Sequence, residues 1–250
     1  MRENLKKKFS MDGLVDIEEN LLYFNGTSER TYLNYSVNLV DSFIDKVKNK
    51  NALHYEETDL WLYEAIEKYI GGIKGKNGLV IGSEEPCYEA CAIYYEANNV
   101  MMVEYQKVTS EHPKLITSTV EEFSKMNENY DFAISISSVE HSGLGRYGDE
   151  IDPNGDLESM EFLKNNLKEG GLCFLAVPIG KDQIIWNAHR IYGRNRLPKL
   201  IEGFEVVDTF GLIDSDYDVD EALKRRNGKN PHRPGVSGGA HQPIIVLKKI

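Results

Sequence analysis

The chain has 250 residues, 41% of them hydrophobic, and three cysteines. That suits one α/β domain with additions, provides for a core, and excludes both wholesale disorder and a disulfide framework. With 40 acidic residues against 29 basic ones the formal net charge is -11, a surface that repels a phosphate backbone, so a nucleic-acid polymer is not an expected partner.

The start, Met1 to Ser10, is basic and lacks the apolar stretch of a signal peptide. No later run is long and apolar enough to span a bilayer, so no membrane partner and a cytoplasmic location are expected. Residues 1–75 read as a helical addition. Ser36 to Lys48 puts Val37, Val40, Phe43, Ile44 and Val47 on one face. Thr58-Asp59 opens a second helix with Leu60, Trp61, Tyr63, Ile66 and Ile70, ending at Gly71-Gly72. This segment is a candidate cap over the site or a homodimer contact.

From residue 76 to 250 strands alternate with helices. Leu79 to Ile81 is a strand that breaks at Gly82, and Pro86 suits the first turn of a helix over Cys87 to Asn98. Cys87 and Cys91, one turn apart, suit a buried helix face. Val100 to Val103 is the second strand, Leu115-Ile116 the third, and Phe132 to Ile136 the fourth. A helix over Leu157 to Leu167 closes at Gly170-Gly171. Leu172 to Val177, Phe204 to Val207 and Ile244 to Leu247 follow as strands, the last two suggesting an antiparallel edge. Such a series implies a mostly parallel sheet covered on both faces, with ligands beyond the carboxyl ends of its strands.

The residues after those ends carry the functional expectations. Gly82-Ser83-Glu84-Glu85-Pro86 lets backbone approach a ligand, and Glu104, followed by Tyr105, offers a carboxylate to two ribose hydroxyls. The G-x-G-x-x-G pattern of dinucleotide sites is missing, and Glu84 and Glu85 would repel a pyrophosphate. A sulfonium cofactor, S-adenosylmethionine, suits that charge better than NAD. Ser118 and Thr119 are placed to meet its adenine, and Ser137 and Ser138 its methionine part.

The densest polar stretch, Ser137 to Asp149, contains Glu140 and His141. Histidine titrates near neutrality, which makes His141 the first candidate for a base that takes a hydroxyl proton, with Glu140 beside it. His189 is the second candidate. Around them Arg146, Tyr147, Asp149, Asn187, Arg190, Tyr192, Arg194 and Arg196 are candidate acceptor contacts, since arginine forks suit phosphate. Lys224, Arg225, Arg226, Lys229, His232 and Arg233 suggest a lid. Asp149, Asp152 and Asp156 fit turn and helix-cap roles better than a metal site, because Asp152-Pro153-Asn154-Gly155 is a turn sequence and Asp156 precedes a helix. No metal is expected.

Two motifs, Ser138 to Asp149 and Asn187 to Gly193, resemble a family first catalogued from nematodes as a domain of unknown function. Its bacterial members look like sugar O-methyltransferases, some similar to enzymes that methylate a GDP-activated heptose in capsule formation. The resemblance covers roughly residues 79–211. It implies a class I S-adenosylmethionine-dependent methyltransferase fold with sheet order 3-2-1-4-5-7-6, the cofactor at Gly82 and Glu104, and a nucleotide-linked sugar as small-molecule acceptor. After the fourth strand the chain departs from nucleic-acid adenine methyltransferases, which carry an Asn/Asp-Pro-Pro-aromatic element there. Two other classes compete: a nicotinamide-dependent sugar oxidoreductase, and a non-catalytic module that binds a sugar nucleotide or a protein.

Overall fold

The structure is a computed structural model that describes residues 2–19, 34–212 and 241–250. The basic run 224–233 and its suggested lid lie outside the described residues. In chain order the elements are α1 (Glu3–Phe9), β1 (Asp16–Glu18), β2 (Asn34–Tyr35), α2 (Val37–Lys48), α3 (Glu57–Lys68), β3 (Asn77–Ile81), α4 (Cys87–Tyr94), β4 (Asn99–Glu104), β5 (Thr109–Ser110) and β6 (Leu115–Thr119). There follow α5 (Val120–Phe123), β7 (Tyr130–Ile136), α6 (Gly155–Asn165), β8 (Leu167–Ala176), β9 (Gln183–Ile185), β10 (His189–Ile191), α7 (Leu197–Leu200), β11 (Phe204–Phe210) and β12 (Ile244–Lys249).

Seven strands form the central sheet in the order β11-β12-β8-β7-β3-β4-β6. Numbered along the chain and read from β6, that is the expected 3-2-1-4-5-7-6. The five strands from β6 to β8 run parallel, and β12 lies antiparallel between β8 and β11. This is the class I methyltransferase arrangement. At β3 the order reverses, with β4 on one side and β7 on the other, which makes its carboxyl end the topological switch point.

The period of two along the strands sorts side chains to two faces. Phe132, Ile134 and Ile136 of β7, with Phe174 and Ala176 of β8, enter a core shared with α2, α3 and α4. Ala133, Cys173 and Leu175 enter the opposite core, with Phe123, Met160, Leu163, Leu197 and Leu200 from the helices of that side. All three cysteines are free and buried. No helix among the described residues is long and apolar enough to cross a membrane.

Three features differ from the sequence reading. The N-terminal addition is not only helical, since β1 pairs parallel with β9 and β2 with β5. Residues 183–191, to which the sequence reading gives no element, form the hairpin β9–β10. The helix expected to run to Leu167 ends at Asn165, and β8 starts before Gly170-Gly171 rather than after it. A glycine pair marks helix ends and strand irregularities alike.

Candidate active site

A cavity of ≈ 360 Å³ opens at the switch point, within the range of small-ligand sites. Ile81 and Gly82 reach it from β3, Val103, Glu104 and Tyr105 from β4, and Val120 from α5. Ser138, Val139, Ser142 and Gly143 come from the turn after β7, and Glu158, Ser159 and Phe162 from α6. Asp149, Glu150 and Asp152 complete an acidic lining. Asp152 beside Glu158 pushes the Glu158 carboxyl up, as like charges on one wall do.

Gly82 explains how the two loops fit. Its φ is +77°, and a Cβ there would lie 1.9 Å from Ser138 Oγ. Only glycine lets the loop after β3 lie this close to the turn after β7. Gly143, at φ +78°, is pressed in the same way against the Asp152 carbonyl. Asp149 organises this turn by accepting from the backbone N–H groups of Gly143, Gly145 and Tyr147.

Beside the cavity the loop after β7 meets the β9–β10 hairpin. His141 Nδ1 lies 2.6 Å from the Ala188 carbonyl. A carbonyl only accepts, so Nδ1 carries the proton and Nε2 the lone pair. Arg146 also donates to the Ala188 carbonyl, at 3.1 Å. The His141 ring stands edge-on to Tyr147 at 5.5 Å and to His189 at 6.2 Å between centroids. Burial, then the neighbouring Arg146 and His189, push His141 well below the usual imidazole value. It is neutral at pH 7.

Glu140 is fully buried. Its Oε1 accepts from Ser137 Oγ at 2.7 Å and lies 3.7 Å from His141 Nε2. Burial raises the carboxyl to about 7, against the hydrogen bond from Ser137 and the charges of Arg146 and Arg190. Glu140 thus keeps its proton up to about neutrality while the His141 ring beside it is neutral, a carboxyl next to a free imidazole lone pair, which suits acid–base work.

The expected residues divide into three groups. Gly82, Glu104, Tyr105, Ser138 and Asp149 line the cavity. Glu140, His141, Arg146, Tyr147 and His189 gather at the hairpin, with Ser137 beneath and Asn187 buried next to Ala188. The rest, Arg194 apart, do structural work. Ser83 gives its carbonyl to the Tyr35 hydroxyl, and Pro86 is the N-cap of α4. Ser118 donates to the Thr119 carbonyl, and Thr119 forms a capping box with Glu122 at the start of α5. Val120, one residue on, is the one of that run that reaches the cavity.

The arginine reading needs the largest correction. Arg196 is buried and holds Asp156 with two parallel hydrogen bonds, at 2.9 and 2.5 Å. Tyr192 donates to the same carboxylate, and Arg190 Nε lies 3.5 Å from it. The Arg190 fork binds the carbonyls of Glu140, Ser142, Asp152 and Pro153. Asp156 is therefore an ion-pair anchor rather than a cap, and Arg190, Tyr192 and Arg196 brace the loop after β7 instead of meeting an acceptor phosphate. Arg194 is exposed. Asp152 does form the expected turn, accepting from Asn154 N.

Sequence reasoning missed Phe162, Ser142 and Ser159, which give no chemical signal of their own. It also missed Gln242, buried against Ser137.

Residues 75–250 match the family described as Caenorhabditis protein of unknown function, DUF268. The chain belongs to this family. No curated protein matches it. Among solved structures it is similar to the N1-methyltransferase of 1,6-didemethyltoxoflavin from Burkholderia thailandensis, at 14% identity and TM-score 0.48 over 84% of this chain and 87% of that one. An S-adenosylmethionine-dependent methyltransferase from Clostridium acetobutylicum gives 11% identity and TM-score 0.48, covering 85% and 98%. A Streptococcus mutans chain, proposed as such an enzyme, gives 13% and 0.45. The match there takes in 76% of this chain but spans only 49% of that protein's length.

Proposed function

We propose that this DUF268 protein is an S-adenosylmethionine-dependent O-methyltransferase that acts on a hydroxyl of a small, sugar-like acceptor. The observation that carries the reading is the acidic cavity at the switch point, bounded by Gly82 and Glu104. Its carboxylates favour a cationic sulfonium and disfavour the pyrophosphate of a dinucleotide. In this reading Glu104, at the cavity wall, takes the ribose hydroxyls, and the apolar lining of Val103, Val120 and Phe162 suits a purine.

The cofactor supplies a methyl group on sulfur, so the carbon–sulfur bond breaks as the acceptor oxygen–carbon bond forms and the hydroxyl proton leaves. His141 Nε2, with its lone pair fixed by the Ala188 carbonyl, takes that proton, and Glu140 stabilises the imidazolium. His189 and Tyr147 flank this centre and serve to orient the acceptor. A nucleotide-linked sugar is the form of acceptor favoured by the resemblance of the two loop motifs, with Arg146 and Arg194 as the contacts for its phosphates.

The experiment is calorimetry with S-adenosylhomocysteine, followed by methyl transfer to a panel of GDP-, UDP- and dTDP-sugars. Binding in the micromolar range and methylation of one sugar class is the expected result. Binding of NADH in place of S-adenosylhomocysteine would overturn it.

A further inference from the structure

Three distant segments meet behind Glu140. Ser137, in the left-handed region at φ 51°, directly follows β7. Gln242 stands at the threshold of β12, with its backbone carbonyl fixed by Thr58 Oγ1 of α3 at 2.7 Å. Its side chain is buried, and Nε2 donates to Ser137 Oγ at 3.1 Å. A serine hydroxyl has one proton and two acceptor positions. Tyr55 is hydrogen-bonded to Ser137 as well; with the amide and the phenol donating into the two acceptor positions, the proton goes to Glu140 Oε1. Glu140 Oε2 and Gln242 Oε1 are both buried without a hydrogen-bond partner, so the link through Ser137 is the described contact that ties the two side chains together.

We propose that Gln242 is a positioning residue of the active centre: acting through Ser137, it directs a hydroxyl proton onto Glu140 Oε1 and favours the carboxylate form of Glu140 beside His141. The catalytic meaning rests on the methyl-transfer reading; the coupling itself does not. The titratable groups that face Glu140 are His141, Arg146 and Tyr147 of its own loop, and Tyr55, Arg190 and Tyr192 from elsewhere in the chain. The two arginines and the Ser137 hydroxyl favour the carboxylate, while enclosure opposes it. Loss of one donor therefore shifts the balance towards the neutral acid.

The test is a double-mutant cycle read on Glu140 itself. Full-length protein carrying 13C in its glutamate carboxyls is titrated by NMR, and the Glu140 signal is assigned by its loss in Glu140→Gln. Gln242→Met keeps the volume and removes the donor. It should raise the Glu140 midpoint by up to about one pH unit, the equivalent of one hydrogen bond. Ser137→Ala should raise it as well, and Gln242→Met should add nothing in that background. An unmoved midpoint in Gln242→Met, or an equal shift in both backgrounds, overturns the proposal. If Gln242→Met does not fold, Gln242→Asn gives the same reading without adding charge: the shorter side chain withdraws the amide from Ser137, and the midpoint should rise in the same direction. Calorimetry of the unmutated protein with S-adenosylhomocysteine separates the two claims. A failure to bind overturns the methyl-transfer reading, while the coupling between Gln242 and Glu140 stands or falls on the NMR midpoints alone.

Discussion

His141 Nδ1 and the Ala188 carbonyl, 2.6 Å apart, join the loop after β7 to the β9–β10 hairpin. The contact fixes which ring nitrogen is basic. His141→Ala should lower kcat by about 10²- to 10⁴-fold, the usual contribution of a positioned base. Its affinity for S-adenosylhomocysteine should stay unchanged in calorimetry. An alanine variant with full activity would transfer the role to His189.

Glu104 ends β4 at the cavity wall. Glu104→Ala should weaken S-adenosylhomocysteine binding by ~1–3 kcal/mol, as expected when a charged hydrogen-bond partner is lost. Titration calorimetry measures this directly.

The raised Glu140 carboxyl makes stability depend on pH with a definite sign. In the unfolded chain it ionises near 4.5, and in the folded chain at about 7. Below 4.5 both states hold the proton and Glu140 costs nothing. Between those values the unfolded state ionises first, and the cost to the fold grows to ~3 kcal/mol, constant above 7. Glu140→Gln should therefore leave Tm unchanged at pH 4 and raise it at pH 8, while activity falls. Thermal melts across that range check it.

Asp156 and Arg196 form a buried pair, Arg196 Nη2 to Asp156 Oδ1 at 2.5 Å. Removing one partner strands the other, so Arg196→Ala should destabilise the fold by ~3–5 kcal/mol. Denaturant unfolding measures that cost. If stability were kept and only acceptor affinity fell, the arginine would be a phosphate ligand after all.

Gly82→Ala should abolish cofactor binding more readily than it unfolds the chain. Its Cβ would meet Ser138 Oγ at 1.9 Å in a backbone conformation unsuited to alanine, so the two cavity loops must part. Calorimetry beside a thermal melt separates the two effects.

The central sheet was legible because its signals are local. Apolar runs such as Leu79–Ile81 and Phe132–Ile136, each stopped by a turn, carry the strand period within a few residues. The positions of Gly82 and Glu104 at strand ends were legible for the same reason. Side-chain destinations were not. Arg196 reads as a surface cation until Asp156, from another element, is known to face it. Thr119 reads as a ligand contact until the capping box with Glu122 is seen, although the Thr-x-x-Glu spacing stands in the sequence. Nothing in the sequence pairs Gln242 with Thr58, because their meeting depends on α3 lying beside the start of β12.

The pairing of β1 with β9 sets Asp16 beside Gln183, so the hairpin that presents Ala188 and His189 is stitched to residues made long before it. Contacts of such separation close late, after local ones have formed. During synthesis the parallel strands from β3 to β7 can assemble first, and the reactive corner takes shape after them. A nascent chain would therefore hold the cofactor half of the sheet with no competent chemistry until the hairpin has emerged and found its early partner.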